Sequence, residues 1–104
     1  MKTLEEIRAD LIDGRIELTI HSFKRIVERN ISKREIAEAA WNAVVIEDYP
    51  TDKYYPSCLL LGFTMAGRPL HLQPSRMDGD EVRLVTLYEP NDDEWVDNYS
   101  RRRT

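Results

Sequence analysis

The hydrophobic period of this chain changes partway along, and that change limits what it can fold into. Through residue 43 most apolar residues recur at helical spacing. From Val44 on they fall in short runs broken by Pro, Gly, Asp and Asn. Helices that come first, followed by consecutive strands with tight connections, give an α+β architecture. Its helices pack on one face of a three- to four-stranded antiparallel sheet. The 104 residues suit one domain over 1–104 with a single core.

Thr3-Leu4-Glu5-Glu6 is a capping box, and Leu4, Ile7 and Leu11 mark one face of a first helix. Asp13-Gly14 ends it. Arg15 to Ile20 then alternates, with Ile16, Leu18 and Ile20 against Arg15, Glu17 and Thr19, as a half-buried strand does. From Ser22 the period is helical, with Phe23, Ile26 and Val27 as the expected core face and Asn30 as the stop. Ser32-Lys33-Arg34-Glu35 is a second capping box, stapled by Ile31 and Ile36. The helix it opens carries Ile36, Ala39, Ala40 and Ala43 on one stripe, small enough for close packing on the sheet or the second helix. Strands follow: a short one begun by Val44-Val45-Ile46 and closed by Tyr49-Pro50, then Cys58 to Phe63, Pro69 to a stop at Pro74, and Val82 to Tyr88. Pro90 to Glu94 predicts a terminal helix that docks through Trp95 and Tyr99.

Composition narrows the function classes. No apolar run approaches the ~20 residues of a membrane span, and MKTLEEIRADL has acids where a signal peptide needs apolar residues. Cys58 is alone, which excludes an intramolecular disulfide and a cysteine metal cluster. A reducing cytoplasm is the expected compartment. The net charge of −4 argues against a nucleic-acid coat protein. It leaves room for a local phosphate patch, because the basic side is eleven Arg against four Lys. The run Arg101-Arg102-Arg103 reads either as a solvated tail or as a phosphate- or partner-binding element.

No phosphate-binding glycine loop, dinucleotide fingerprint or zinc-protease motif is present. The two histidines lie far apart in sequence, so neither a metal nor another cofactor is expected. A metal-free acid–base site fits better. Cleavage of a phosphodiester by its own 2′-hydroxyl needs a base, an acid and a cation on the phosphate. His21 sits at a strand-to-helix junction, with Arg25 and Glu28 following at helical spacing. His71 points away from its neighbours Leu70 and Leu72, and Tyr88 and Glu89 close the last strand. Each also has a plain reading: a junction residue, a satisfied strand histidine, a solvated helix face, strand-end packing.

These residues fall in longer motifs. HSFKRIVERNISKREIAEA resembles the opening of a widespread bacterial domain of unknown function. VVIEDYPTDKYYPSCLLLGFTMAGRPLH resembles its middle signature, and VTLYEPNDDEWVDNYSRRR its close. The resemblance implies a fold related to small RNase toxins of the RelE and MqsR kind. It also implies a partner, a small zinc-finger protein like an MqsR-type antitoxin. The motif positions carried over are His21, Arg25, Arg68, His71, Tyr88 and Glu89. Asn30 stands where the family commonly has Gly. Pro74 interrupts a run that is usually Val-rich, which would shorten that strand or place it at an edge.

The leading expectation is therefore a toxin of a toxin–antitoxin pair, a metal-independent endoribonuclease acting on messenger RNA, free or on the ribosome. His21 and His71 would be its acid–base pair and Tyr88 an orienting group. Arg25, Arg68 and Glu89 would contact substrate, and a homodimer is allowed for. The alternative is a non-catalytic interaction module that binds a partner through its acidic surface and terminal helix. A third reading is a small-molecule pocket of Tyr49, Tyr54 and Tyr55, residues that ordinary loop packing also explains.

Overall fold

A capping box starts each of the three helices in the computed structural model, which describes residues 1–53 and 55–104. The elements are α1 (Leu4–Asp13), β1 (Ile16–Leu18), α2 (Ile20–Glu28), α3 (Lys33–Trp41), β2 (Val44–Tyr49), β3 (Ser57–Phe63), β4 (Pro69–Pro74), β5 (Val82–Tyr88), β6 (Trp95–Val96) and β7 (Arg101–Arg102). In α1 and α3 the box is the expected Thr3–Glu6 and Ser32–Glu35. In α2 it is Thr19 with Ser22, each side chain bonding the other's backbone N–H. That cap stops β1 at Leu18 and makes Ile20 the first helical residue, so the strand is three residues long.

The fold is α+β, with a five-stranded sheet in the order β1-β5-β4-β3-β2. β1 runs parallel to β5, and the remaining pairs are antiparallel. The sheet exceeds the expected three or four strands because β1 joins its edge. β4 is central, although Pro74 suggested an edge. A bulge at the Gln73/Pro74 step accommodates the missing N–H. The same bulge leaves Val85 as an extra residue on β5, since Gln73 pairs with Thr86 and Pro74 with Leu84. It also changes the phase of β5. Val82, Leu84 and Leu87 all reach the core, and Tyr88 turns to the other face beside His71.

The core lies between the sheet and α1 with α3. Ile7, Leu11, Ile31, Ile36, Ala39, Ala40, Leu60, Leu70, Leu72, Val82, Leu84 and Leu87 form one buried cluster. The alanine stripe of α3 packs on the sheet as expected. Gly62 of β3 shows how closely: a Cβ there would lie 2.0 Å from the Ala39 carbonyl oxygen. Asn30, at φ 51°, takes the left-handed turn between α2 and α3 that Gly commonly serves.

Two further expectations fail. The predicted core face of α2, Phe23, Ile26 and Val27, holds only at Ile26. Phe23 is 57% exposed, Val27 65% and Ile20 79%. The helix packs on β5 and β1. β1 pairs only with Val82–Leu84 of β5, and α2 covers the edge beyond, where Arg29 Nη1 donates to the Leu87 carbonyl at 2.6 Å. Ser22 and Ile26 therefore face inward, and the apolar stripe does not. The terminal helix also fails. Asn91 Oδ1 accepts from the N–H groups of Asp93 and Glu94, capping a single turn. Asp97, Asn98 and Tyr99 then take left-handed backbone, and β7 pairs back on β6. The C-terminal arginines are held, not frayed: Arg101 pairs with Asp97, Arg102 with Glu47, and Arg103 donates to the Asp92 carbonyl.

Candidate functional site

The sheet face opposite the helices carries His71 of β4, paired across the ladder with Tyr88 of β5 and Leu61 of β3. The β6–β7 hairpin closes over it. Trp95 is buried and meets the His71 ring edge-on, with centroids 4.3 Å apart. His71 is fully buried, and both ring nitrogens have partners. Nε2 lies 2.8 Å from the Tyr99 carbonyl oxygen and Nδ1 3.1 Å from the Tyr88 hydroxyl. A carbonyl only accepts, so Nε2 carries the proton. Nδ1 is then the acceptor, and the Tyr88 O–H donates to it. Burial holds the His71 pKa below its usual value, against the pull of the Tyr99 carbonyl. Burial likewise raises that of Tyr88.

Tyr88 opens on its other side into a cleft of about 510 Å³, lined also by Arg29, Arg68, Glu89, Glu94, Trp95 and Arg102. The three arginines differ in what they have free. Arg68 is committed: Nε pairs with Glu89 at 2.6 Å and Nη1 with Glu35 at 2.9 Å, while the Asn30 and Arg29 carbonyls take its remaining bonds. These bonds, that to Glu89 foremost, raise its pKa further. It clamps the end of α2, the start of α3 and the end of β5 together. Arg102 grips Glu47 through two hydrogen bonds of 2.8 and 3.2 Å and lies over the Trp95 ring. Arg29 makes one side-chain hydrogen bond, to Leu87, and its guanidinium carbon stands 5.8 Å from the Tyr88 ring centre. Its other donors carry no hydrogen bond among the described residues.

The structure thus joins His71 with Tyr88, and Arg68 with Glu89, and brings Tyr88, Arg68 and Glu89 to one cleft. It does not bring His21 and Arg25 there. Arg25 pairs with Glu28 on its own helix. His21 is exposed and lines a second cavity with Tyr55, Gln73 and Val85. Sequence reasoning missed Arg29 and Glu47; it named Trp95 only as a docking residue and Arg102 only within a terminal run read either as a solvated tail or as a phosphate- or partner-binding element. Only the hairpin return of the last residues brings Trp95 and Arg102 there, and no periodic signal marks that return. Of the tyrosine pocket, Tyr49 donates to Glu47 beside Arg102 and its pKa is pushed up to about 12, first by burial. Tyr55 lines the second cavity, and Tyr54 lies outside the described residues.

No helix among the described residues is long and apolar enough to cross a membrane. Neither the curated proteins nor the solved structures match this chain. A family profile does match, over residues 18–89, from the end of β1 through Glu89 of the cleft. On that match the chain belongs to the family described as domain of unknown function DUF4258.

Proposed function

We propose that this domain is a metal-independent endoribonuclease that cleaves messenger RNA, as the toxin half of a toxin–antitoxin pair of the RelE/MqsR kind. The reading rests on Tyr88, which lines the cleft and whose hydroxyl meets the acceptor nitrogen of a buried neutral histidine. As Tyr88 takes the proton of a substrate 2′-hydroxyl, it passes its own to His71 Nδ1. The Tyr99 carbonyl holds the resulting imidazolium through Nε2–H. The freed 2′-oxygen forms a bond to phosphorus, the bond to the 5′-oxygen breaks, and that oxygen takes a proton from water, whose hydroxide recovers the His71 proton through Tyr88. Arg29, with donors to spare, is the cation for the charge on the phosphate. Arg68 shapes the cleft without contacting substrate. Induced expression should arrest growth, and the Tyr88→Phe form should not. Normal growth with abundant soluble wild-type protein contradicts this.

A second reading is favoured by the exposed stripe Ile20, Phe23 and Val27 on α2. Three large apolar side chains on one solvent face of a helix are what a protein-docking surface presents. On this reading the chain binds a zinc-finger antitoxin-like protein through α2 and cleaves nothing. A tight complex that Phe23→Ser disrupts, together with an RNA-inert free chain, would favour it over the nuclease.

A further inference from the structure

The open face of the sheet carries a second cavity, of about 410 Å³, whose lining includes His21, Asp52, Tyr55, Gln73, Arg83 and Val85. The proposed reaction does not use it. Its lining is mainly apolar, with an aromatic ring from Tyr55, a residue 37% exposed. Its polar groups are ordered by one another. The Ser57 hydroxyl donates to Asp52 Oδ2 at 2.6 Å, and Gln73 Nε2 donates to the Ser57 hydroxyl at 3.1 Å. The Gln73 amide nitrogen is thereby engaged, with a longer approach of 3.5 Å to Asp52 Oδ2, and its carbonyl oxygen is left without a donor among the described residues. Asp52 Oδ1 is open too, and neither oxygen carries a hydrogen bond among the described residues. The cavity therefore offers an aromatic face and a pair of fixed acceptors. Arg83 and His21, both exposed, bring the basic side chains to its described lining, beside the Asp52 carboxylate and the Tyr55 phenol. The Arg83 pair with Glu17 is itself solvent-exposed and weak.

We propose that this cavity binds a guanine base, stacked on Tyr55, with Arg83 and His21 disposed toward the adjoining phosphate. Two acceptors beside an aromatic face select a planar ring with two adjacent N–H donors. The Watson–Crick edge of guanine presents N1–H and an amino group, whereas adenine and cytosine each present a single amino group there. Val85 and Tyr88 are three residues apart on β5, about 10 Å at strand rise. A base held at Val85 therefore leaves the neighbouring nucleotides of a single strand within reach of Tyr88. The chemistry rests on the cavity alone. RNA as the source of the base rests on the nuclease reading above, and a free guanine nucleotide is the other source.

The test is amide-shift mapping on the full ¹⁵N-labelled chain. One arm adds the four nucleoside 5′-monophosphates separately, and the other adds short single-stranded RNAs with and without a guanosine. The expected result is a saturable shift at Tyr55, Gln73 and Val85, strongest with guanosine 5′-monophosphate and with the guanosine-containing RNA. Tyr55→Ala, at a partly exposed loop position, should weaken binding roughly 5- to 150-fold. Val85→Trp should block the cavity. Response to the mononucleotide alone keeps the guanine site and assigns it to a free nucleotide. No shift at these residues, or shifts only around Tyr88 and Arg29, overturns the proposal. Binding here without any RNA cleavage refutes the nuclease reading and not this one. Cleavage without binding here does the reverse.

Discussion

Tyr88 and His71 constrain each other through one hydrogen bond, and burial pushes their pKa values apart, His71 down and Tyr88 up. Both stay neutral across a wide pH range, which a proton relay through Nδ1 requires. The His71 shift has a consequence for stability. The unfolded imidazole takes a proton near its ordinary value of 6.5, and the folded one only at lower pH. Below pH 6.5 the unfolded state therefore binds more protons, and stability falls as pH falls, by up to ~1.4 kcal/mol per unit. Urea unfolding at pH 7.5 and 5.5 should show that loss, and His71→Gln should flatten it. Equal wild-type stability at both pH values would mean that His71 is not held neutral. The relation between His71 and its strand was legible from the sequence, because alternation alone turns it away from Leu70 and Leu72. Its partner was not. Whether Tyr88 shares its face depends on the bulge at Val85, whose one mark in the sequence is Pro74 on the paired strand, read there as a stop or an edge.

The elements were legible wherever a local device started or stopped them. Two of the three capping boxes, the Ile31–Ile36 staple, the Asn30 turn and the β2–β5 hairpins all follow from residue types at fixed offsets. The α2 box was hidden because its fourth residue is Ser22 where Glu or Gln is usual. The orientation of α2 was hidden for a different reason. Periodicity finds the apolar side of a helix, and the core is presumed to lie there. Here the edge of β5 takes Ser22, Ile26 and Arg29 instead. Phe23→Ser should therefore change stability by less than about 0.5 kcal/mol, like other surface substitutions. Ile36→Ala, in the core, should cost about 2–5 kcal/mol. Thermal unfolding of the two variants separates these expectations, and a large loss for Phe23→Ser would place α2 the other way round. Gly62→Ala tests the α3–β3 contact. Its Cβ meets backbone, which cannot swing aside, so a loss of about 3 kcal/mol is expected.

At the scale of the molecule, the net charge of −4 conceals a division. The cleft gathers Arg29, Arg68 and Arg102, yet Glu35, Glu89 and Glu47 tie up two of them. A single available guanidinium beside a phenol suits a reaction at one phosphate better than broad electrostatic capture of RNA. Binding should accordingly fall only gently with salt, with a log–log slope of about −0.7 per phosphate contacted on a single strand. The α+β class was readable from the order of periods. The joining of β1 to β5 and the folding back of the last residues were not: the first is a long-range pairing of a three-residue strand, and the second is a hairpin of two-residue strands too short to show alternation. The central claim is that Tyr88, backed by His71, performs metal-free RNA cleavage. Its most direct test is a purified-protein assay on a mixed-sequence fluorescent RNA in the presence of EDTA. Wild-type protein should cleave, leaving 2′,3′-cyclic phosphate ends. Tyr88→Phe should remain folded and lose roughly 10²–10⁴ of the rate. Cleavage by Tyr88→Phe at the wild-type rate, or none by the folded wild type, would contradict it.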